Sequence, residues 1–351
     1  MLSQEQISEI REHLEKAQNP VFFFDNDADG LISFVLLRRF INRGKGVAIK
    51  SFPELDESYI KRIDEFNADY VFILDKPSVS KRFLEEVKLR NLPVVWIDHH
   101  DVPSPSEFSN LSYYNSLKKS NLGEPISYIS YIVSRKKEDS WLSVIGCISD
   151  NYLPDFYNDF AKEYPNLTRK NPDSAFEVLY ETDIGKMVLM LSFALKDRTS
   201  SVMAMINFLF SVKYPFDLLK EDTRNANIFK RFNQINKFYT KILEKAKRVA
   251  RSHKKLVFFQ YGGEMSLSAD IANELSYRFP GKVIMVAYVK GNNANVSIRG
   301  SIDVRKITLD ILKEIPNSSG GGHKHATGCK LSLDDLHKFR DLFEEKVERY
   351  Q

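Results

Sequence analysis

Short, wholly apolar runs that stop abruptly on charge set the layout of the first hundred residues. Val21-Phe22-Phe23-Phe24, Tyr70-Val71-Phe72-Ile73-Leu74 and Val94-Val95-Trp96-Ile97 are β-branched and aromatic, too short for helices, and read as buried strands. Between them the apolar positions change to a helical period. A first amphipathic helix carries Ile7, Ile10 and Leu14 and is broken by Asn19-Pro20; a second is expected from about Leu31 to Asn42, and a third carries Phe83, Val87 and Leu89. Strand, helix, strand, helix, strand is the pattern of a doubly wound parallel sheet.

Beyond a loop through Tyr113-Tyr114-Asn115, the stretches 126–133 and 141–148 are apolar helices. Residues 151–250 are helical by the same criterion, at Met187-Val188-Leu189-Met190-Leu191, 203–210 and 229–242, with breaks at Pro165, Pro172 and Pro215. Strands return near Lys254, at 255–260, 283–289 and 295–299, with helices at 268–279 and 303–315. The expected domains are therefore 1–155, a helical connector 156–250, and a smaller α/β domain 251–351.

The chemistry collects where the strands end. Asp25, Asp27 and Asp29 stand at alternate positions after the first strand and repel one another unless a cation sits among them. One acid would suffice to cap the following helix. A calcium loop would need a Glu where Leu36 stands. Asp75 ends the second strand, Asp98-His99-His100 the third, and Asp150 closes the apolar helix 141–148, where the helix dipole disfavours a negative charge. Open α/β sheets bind ligands beyond the carboxyl ends of their strands, so these groups are expected in one crevice. Near the other end, Gly320-Gly321-Gly322 lets backbone N–H groups point together into an anion nest, with His323 at its edge and Arg299 on a preceding strand, a site for phosphate; the bland alternative is a flexible turn.

Composition narrows the class. The 351 residues are 43% hydrophobic with a formal charge of only +4, so any nucleic-acid surface has to be local. Such a patch exists: Lys241, Lys245, Lys247, Arg248, Arg251, Lys254 and Lys255 face a single acid, Glu244. Its bland alternative is a solvated helix face. Cys147 and Cys329 are too distant for a zinc motif or a disulfide framework. The acidic N-terminus lacks the apolar core of a signal peptide, and no apolar run is long enough to span a bilayer, so a soluble cytoplasmic protein without membrane contact is expected. His13, His253, His325 and His337 read as surface residues.

Taken in order, Asp25-Asn26-Asp27-Ala28-Asp29-Gly30, Asp75, Asp98-His99-His100 and Asp150 resemble the four motifs of the DHH phosphoesterase superfamily. Gly320-Gly321-Gly322-His323-Lys324-His325-Ala326-Thr327-Gly328 is similar to the GGGHxxAxG signature of the associated DHHA1 domain. The three aspartates of the first motif resemble the RecJ branch. The resemblance implies an α/β fold with an N-terminal parallel-sheet DHH domain, a helical connector and a smaller C-terminal α/β DHHA1 domain. It implies two divalent cations, Mn²⁺ first and Mg²⁺ as the alternative, held by Asp25, Asp27, Asp29, Asp75, His99 and Asp150, with Asp75 and Asp150 bridging. His100 would meet the phosphate or leaving group, Asp98 would orient the imidazoles, and Arg299, Gly320, Gly321, Gly322 and His323 would hold the substrate.

The activity so implied is that of a single-strand-specific exonuclease releasing mononucleotides from DNA or RNA ends, as in DNA repair, with two domains closing around a strand end. A phosphodiesterase for short oligonucleotides, of the nanoRNase or phosphoadenosine-phosphate phosphatase kind, or for cyclic dinucleotides is the alternative. A replication or repair scaffold with little catalysis is the second alternative. The helices of 151–250 would be the docking face for a helicase-associated partner; the oligomeric state is left open.

Overall fold

The computed structural model describes residues 1–50, 54–105, 108–117, 123–252 and 255–349. The chain divides into two compact units, Met1–Phe232 and Asn233–Gln351.

The first unit is built on five parallel strands: β1 (Pro20–Asp25), β2 (Lys45–Ile49), β3 (Tyr70–Leu74), β4 (Val94–Asp98) and β5 (Leu111–Asn115), in the order β2-β1-β3-β4-β5. The three central strands are the ones the apolar runs predict, and Val21 to Phe24 are completely buried. The pattern missed β2 and β5. Both are edge strands, half covered, with Lys45 exposed and Ser112 partly so, and they carry no continuous apolar run.

Helices α1 (Gln4–Lys16), α2 (Ala28–Ile41), α3 (Ile60–Glu65) and α4 (Lys81–Leu89) surround this sheet, followed by α5 (Ile126–Ser134) and α6 (Ser140–Ser149). On α4 the inward face is Phe83, Leu84 and Val87, while Leu89 is 75% exposed, so its expected place in that face is corrected. Helix α2 lies between β1 and the pair α5 and α6, which explains why it is apolar on nearly every side. Its Phe34 ring stacks on Phe24 at 5.1 Å and leans on Phe22 at 5.3 Å. The space for that ring comes from Gly46 on β2, where a Cβ would lie 2.3 Å from Phe34.

Of the helices expected for 156–250, α7 (Tyr157–Glu163), α8 (Ala175–Glu181), α9 (Asp183–Ala194), α10 (Thr199–Ser211) and α11 (Pro215–Leu219) belong to the first unit. The unit boundary falls inside α12 (Ala226–Ala250). On α12 the buried positions are Ile228, Phe232, Ile235, Tyr239, Ile242, Leu243, Ala246 and Ala250, and Lys241, Lys245 and Arg248 face solvent. Lys254 and His253 lie outside the described residues.

The second unit holds β6 (Leu256–Gly262), α13 (Ser268–Arg278), β7 (Val283–Lys290), β8 (Asn293–Arg299), α14 (Val304–Leu312), β9 (Ser319–His323), β10 (Ala326–Ser332) and α15 (Leu336–Arg349). Its sheet runs β9-β10-β8-β7-β6, parallel between β6 and β7 and antiparallel elsewhere. One face buries Val296, Ile298 and Leu331 against Ile311, Phe339 and Phe343 of α14 and α15. Helix α13 lies over β7 and β8 on the other face. Among the described residues no helix is long and apolar enough to cross a membrane.

Phe34→Ala removes the ring that joins α2 to β1. A loss of about 3–5 kcal/mol is expected from the denaturant midpoint; a loss below about 1 kcal/mol would show that the stack is not part of the core.

Candidate metal centre

Strand order changes direction between β1 and β3, and the loops leaving those two strands carry the acids. After β1 the chain turns at once into α2. Gly30 makes that turn possible: a Cβ there would meet Asp25 O at 2.5 Å and Asp25 N at 2.8 Å. Asp27 is the N-cap, its Oδ1 accepting from Gly30 N at 2.9 Å, so α2 starts three residues earlier than the apolar pattern predicts. Asp75 follows β3 with φ 58°, a left-handed conformation unfavourable for a non-glycine residue.

These turns bring carboxylates and imidazoles from three strand ends together. Ligand atoms of Asp25, Asp27 and Asp75 lie within 4.8 Å of one another, as do those of Asp75, His99 and His100. Asp75 belongs to both groups and is 2% exposed. His99 Nε2 is 3.2 Å from Asp75 Oδ1, yet that buried oxygen has no hydrogen bond of acceptable geometry. A buried carboxylate oxygen without a proton donor, among other acids, suits a cation. The donors are all carboxylate oxygen or imidazole nitrogen, which favours a hard or borderline divalent ion.

The imidazoles are held from behind. His99 Nδ1 is 3.2 Å from Gly123 O, and Asp150 Oδ2 stands 3.6 Å from the same nitrogen. Asp98, wholly buried, takes His100 Nδ1 at 2.7 Å. Asn115 Nδ2 donates to His100 O at 2.9 Å and to Tyr113 Oη at 2.8 Å, bracing the loop after β4.

Two expected ligands have other surroundings. Asp29, 1% exposed, accepts from Ile126 N at 2.8 Å, from Ser127 N at 3.0 Å and from the Ser127 hydroxyl. It fastens the start of α5 and lies in neither group. Asp150 is the C-cap of α6 and meets His99, and of the pair expected to bridge only Asp75 lies in both groups. His100, expected against the phosphate, stands in the group with Asp75 and His99. Asp98 braces His100, while His99 has the Gly123 carbonyl in that role. His13, expected on the surface, is half-buried, with Nδ1 2.8 Å from Tyr70 Oη.

Sequence reasoning passed over Lys76. Its side chain is completely buried and Nζ donates to Asp25 Oδ1 at 3.1 Å. The only signal in the sequence is its place directly after Asp75.

In the second unit the glycine run is not a turn. Ser319–His323 is an edge strand paired with β10, which corrects the expected anion nest. Alternation sends Gly320 toward α14, where a Cβ would meet Leu312 at 2.6 Å, and leaves Gly321 facing open space. On the face of Gly321 lie Gly328, Ser297, Ala326, Arg299, His323 and Lys330, by strand register. Arg299 donates through Nε to Asn273 Oδ1 at 2.5 Å and through NH1 to Thr327 O at 3.2 Å.

Charge crowding explains the titration of the first-unit site. Burial, then Asp27 and Asp29, push Asp75 well above the usual carboxylate range against the help of His99. Surrounding protein, then Asp25 and Asp29, raise Asp27 to about 8; because its side chain still touches solvent, the repulsion is the more telling cause. Burial and Asp150 raise Asp29 to about 6. Burial alone would lower His99, but Asp150 and the contact with Asp75 outweigh it and raise it well above its ordinary value.

Folded carboxyls that hold protons more tightly than unfolded ones stabilise the metal-free protein in acid, and that contribution is lost as pH rises from about 4 through about 8. The raised His99 acts in the same sense, its contribution disappearing as pH climbs through its elevated pKa. A divalent cation favours the ionised acids, so Mn²⁺ should raise Tm more at about pH 8 than at about pH 5.5. Thermal unfolding with Mn²⁺ or with chelator measures this, and an equal gain at both pH values contradicts it. Asp29→Ala should lower Tm while weakening Mn²⁺ binding less than Asp75→Ala does, as calorimetric titration of both variants would register.

Comparison with known proteins follows the same division. Residues 252–349 match the family model of the DHHA1 domain, and no curated protein matches the chain. RecJ of Thermus thermophilus in complex with Mn²⁺ aligns with a TM-score of 0.69 at 15% identity, covering 99% of this chain and 55% of that one. The chain thus spans about half the length of that RecJ. Exonuclease RecJ bound to manganese gives 0.65 at 13% identity, covering 99% and 94%. A pGpG-specific phosphodiesterase from Vibrio cholerae gives 0.54 at 14% identity, covering 95% and 100%. Identities this low establish likeness of fold. Residues 252–349 thus form a DHHA1 domain, and the chain as a whole shares the fold of the RecJ structures.

Proposed function

We propose that the chain is a metal-dependent phosphodiesterase that acts as a single-strand-specific exonuclease on DNA or RNA, releasing mononucleotides. The observation that carries the reading is Asp75, shared by two groups of hard-ion ligands. Asp25, Asp27 and Asp75 would hold one cation, and Asp75, His99 and His100 the other, Mn²⁺ or Mg²⁺. When bound, such a pair supplies Lewis acidity to activate water and offset charge at phosphorus.

The chain's own groups supply the rest. Asp98, 2.7 Å from His100 Nδ1, fixes the orientation of that ring beside Asp75. Gly123 and Asp150 hold the His99 ring from its other side. In the second unit, the part of this face beyond α13, with Gly321 and Gly328 as floor, His323 and Lys330 beside it and Arg299 at the edge of α13, would take a phosphate-bearing strand: glycine lets the backbone approach, and the cations pair with phosphate. The exposed Lys241, Lys245 and Arg248 of α12 would follow a flexible backbone.

A second reading, a phosphodiesterase for dinucleotides, is favoured by likeness to the pGpG-specific enzyme, all of whose length is covered. Docking of a replication partner on α7 to α11 is a further proposal that leaves catalysis in place.

End-labelled DNA and RNA strands of about 30 nucleotides, incubated with Mn²⁺ beside an Asp75→Asn control, test the reading. Stepwise release of mononucleotides, lost by a factor of about 10³ or more in the control, is expected. A strong preference for a dinucleotide over the long strand would replace it with the second reading, and no cleavage of either would leave the scaffold.

A further inference from the structure

Lys76 has no part in the chemistry above, yet the fold places it at one of the two ligand groups and seals it there. Its side chain is completely buried. Lysine is almost never so placed without a partner, since removing an ammonium from water costs several kcal/mol, roughly, unless a counter-charge offsets it. The partner is Asp25, whose Oδ1 lies 3.1 Å from Nζ. The start of the lysine stem is fixed too. Trp96 Nε1, on the neighbouring strand β4, donates to Lys76 O at 2.9 Å, and Pro77 restricts the backbone that precedes it.

Asp25 belongs to the group with Asp27 and Asp75 and not to the group with Asp75, His99 and His100. The two groups share one carboxylate but differ in their surroundings. A divalent ion entering the first has to compete with the ammonium for the Asp25 carboxylate and come to rest near a fixed positive charge. Of the two groups, it is the one with Asp25 that meets the lysine.

We propose that Lys76 makes the two metal positions unequal. Its ammonium is the resident counter-ion of Asp25, so the first cation settles at Asp75, His99 and His100, and the second binds at Asp25, Asp27 and Asp75 only by drawing Asp25 away from Lys76. The inference rests on the metal-centre reading under the proposed function and adds to it an order of filling. No proton transfer is required, because one cation replaces another at the same carboxylate.

Stepwise Mn²⁺ titration of the metal-stripped full chain tests it, with free Mn²⁺ counted by electron paramagnetic resonance and the spin-coupled pair read at low temperature. The wild type should take one ion tightly and a second at least about tenfold more weakly, with the coupled signal appearing only in the second step. In Lys76→Met the second affinity should rise to within about threefold of the first. Lys76→Gln, which keeps a neutral donor toward Asp25, serves in its place if the methionine variant does not fold by circular dichroism.

Two equal ions in the wild type overturn the inference and leave the metal-centre reading standing. A second affinity unchanged in a folded variant also overturns it. A wild type that binds no Mn²⁺ removes both together. Equal affinities in the wild type overturn it even if neither variant folds.

Discussion

Mutual repulsion among carboxylates gathered at one edge of a parallel sheet is the constraint around which the first unit is arranged. Asp25, Asp27 and Asp75 have ligand atoms within 4.8 Å of one another, and Asp75 is buried. Such a cluster persists only if something positive or a proton offsets it. Local devices each contribute: the amino end of α2 beside Asp27, the raised His99 between Asp75 and Asp150, and Lys76 against Asp25. The unfavourable backbone of Asp75 shows that packing around the strand end, not local preference, decides where this carboxylate goes.

How much of this was legible in the sequence depends on how deeply each element is buried. Central strands lie under cover on both faces and are written as unbroken apolar runs, so β1, β3 and β4 can be read directly. Edge strands β2 and β5 lack that signature. The acids could be identified because three carboxylates after a buried strand exceed what a helix cap needs, and DHH-like motifs ordered them. Their separate tasks could not. Asp27 and Asp29 are two residues apart at the start of a helix, about 200° around its axis. One therefore faces the ligand cluster and the other the start of α5, a division visible only when the helix start is known.

The glycine signature of the second unit shows the same limit. Three successive glycines suggest an anion nest or a flexible turn. In a strand, alternation gives neighbouring glycines different reasons to lack a side chain. Gly320 makes room for Leu312, Gly322 has φ 135° beside Ala326 O, and Gly321 leaves the outer face bare. The residues that share that bare face are spread over three strands, so only register, not spacing, assembles Arg299, Gly328 and His323 beside it.

The burial of Lys76 bears on how such an acidic site folds at all before any ion arrives. Asp27 and Asp75 can meet the repulsion by keeping protons, as their raised values imply. Asp25 instead has an ammonium bound to the chain itself. On the metal-centre reading proposed above, uptake would involve two distinct exchanges, a proton released where Asp27 or Asp75 becomes a ligand and a lysine contact weakened at Asp25. The first depends on pH and the second on the geometry of one side chain. On the filling order proposed above, the affinity for the second ion would depend on how far Lys76 can move within a closed core, where rearrangement is limited by close packing.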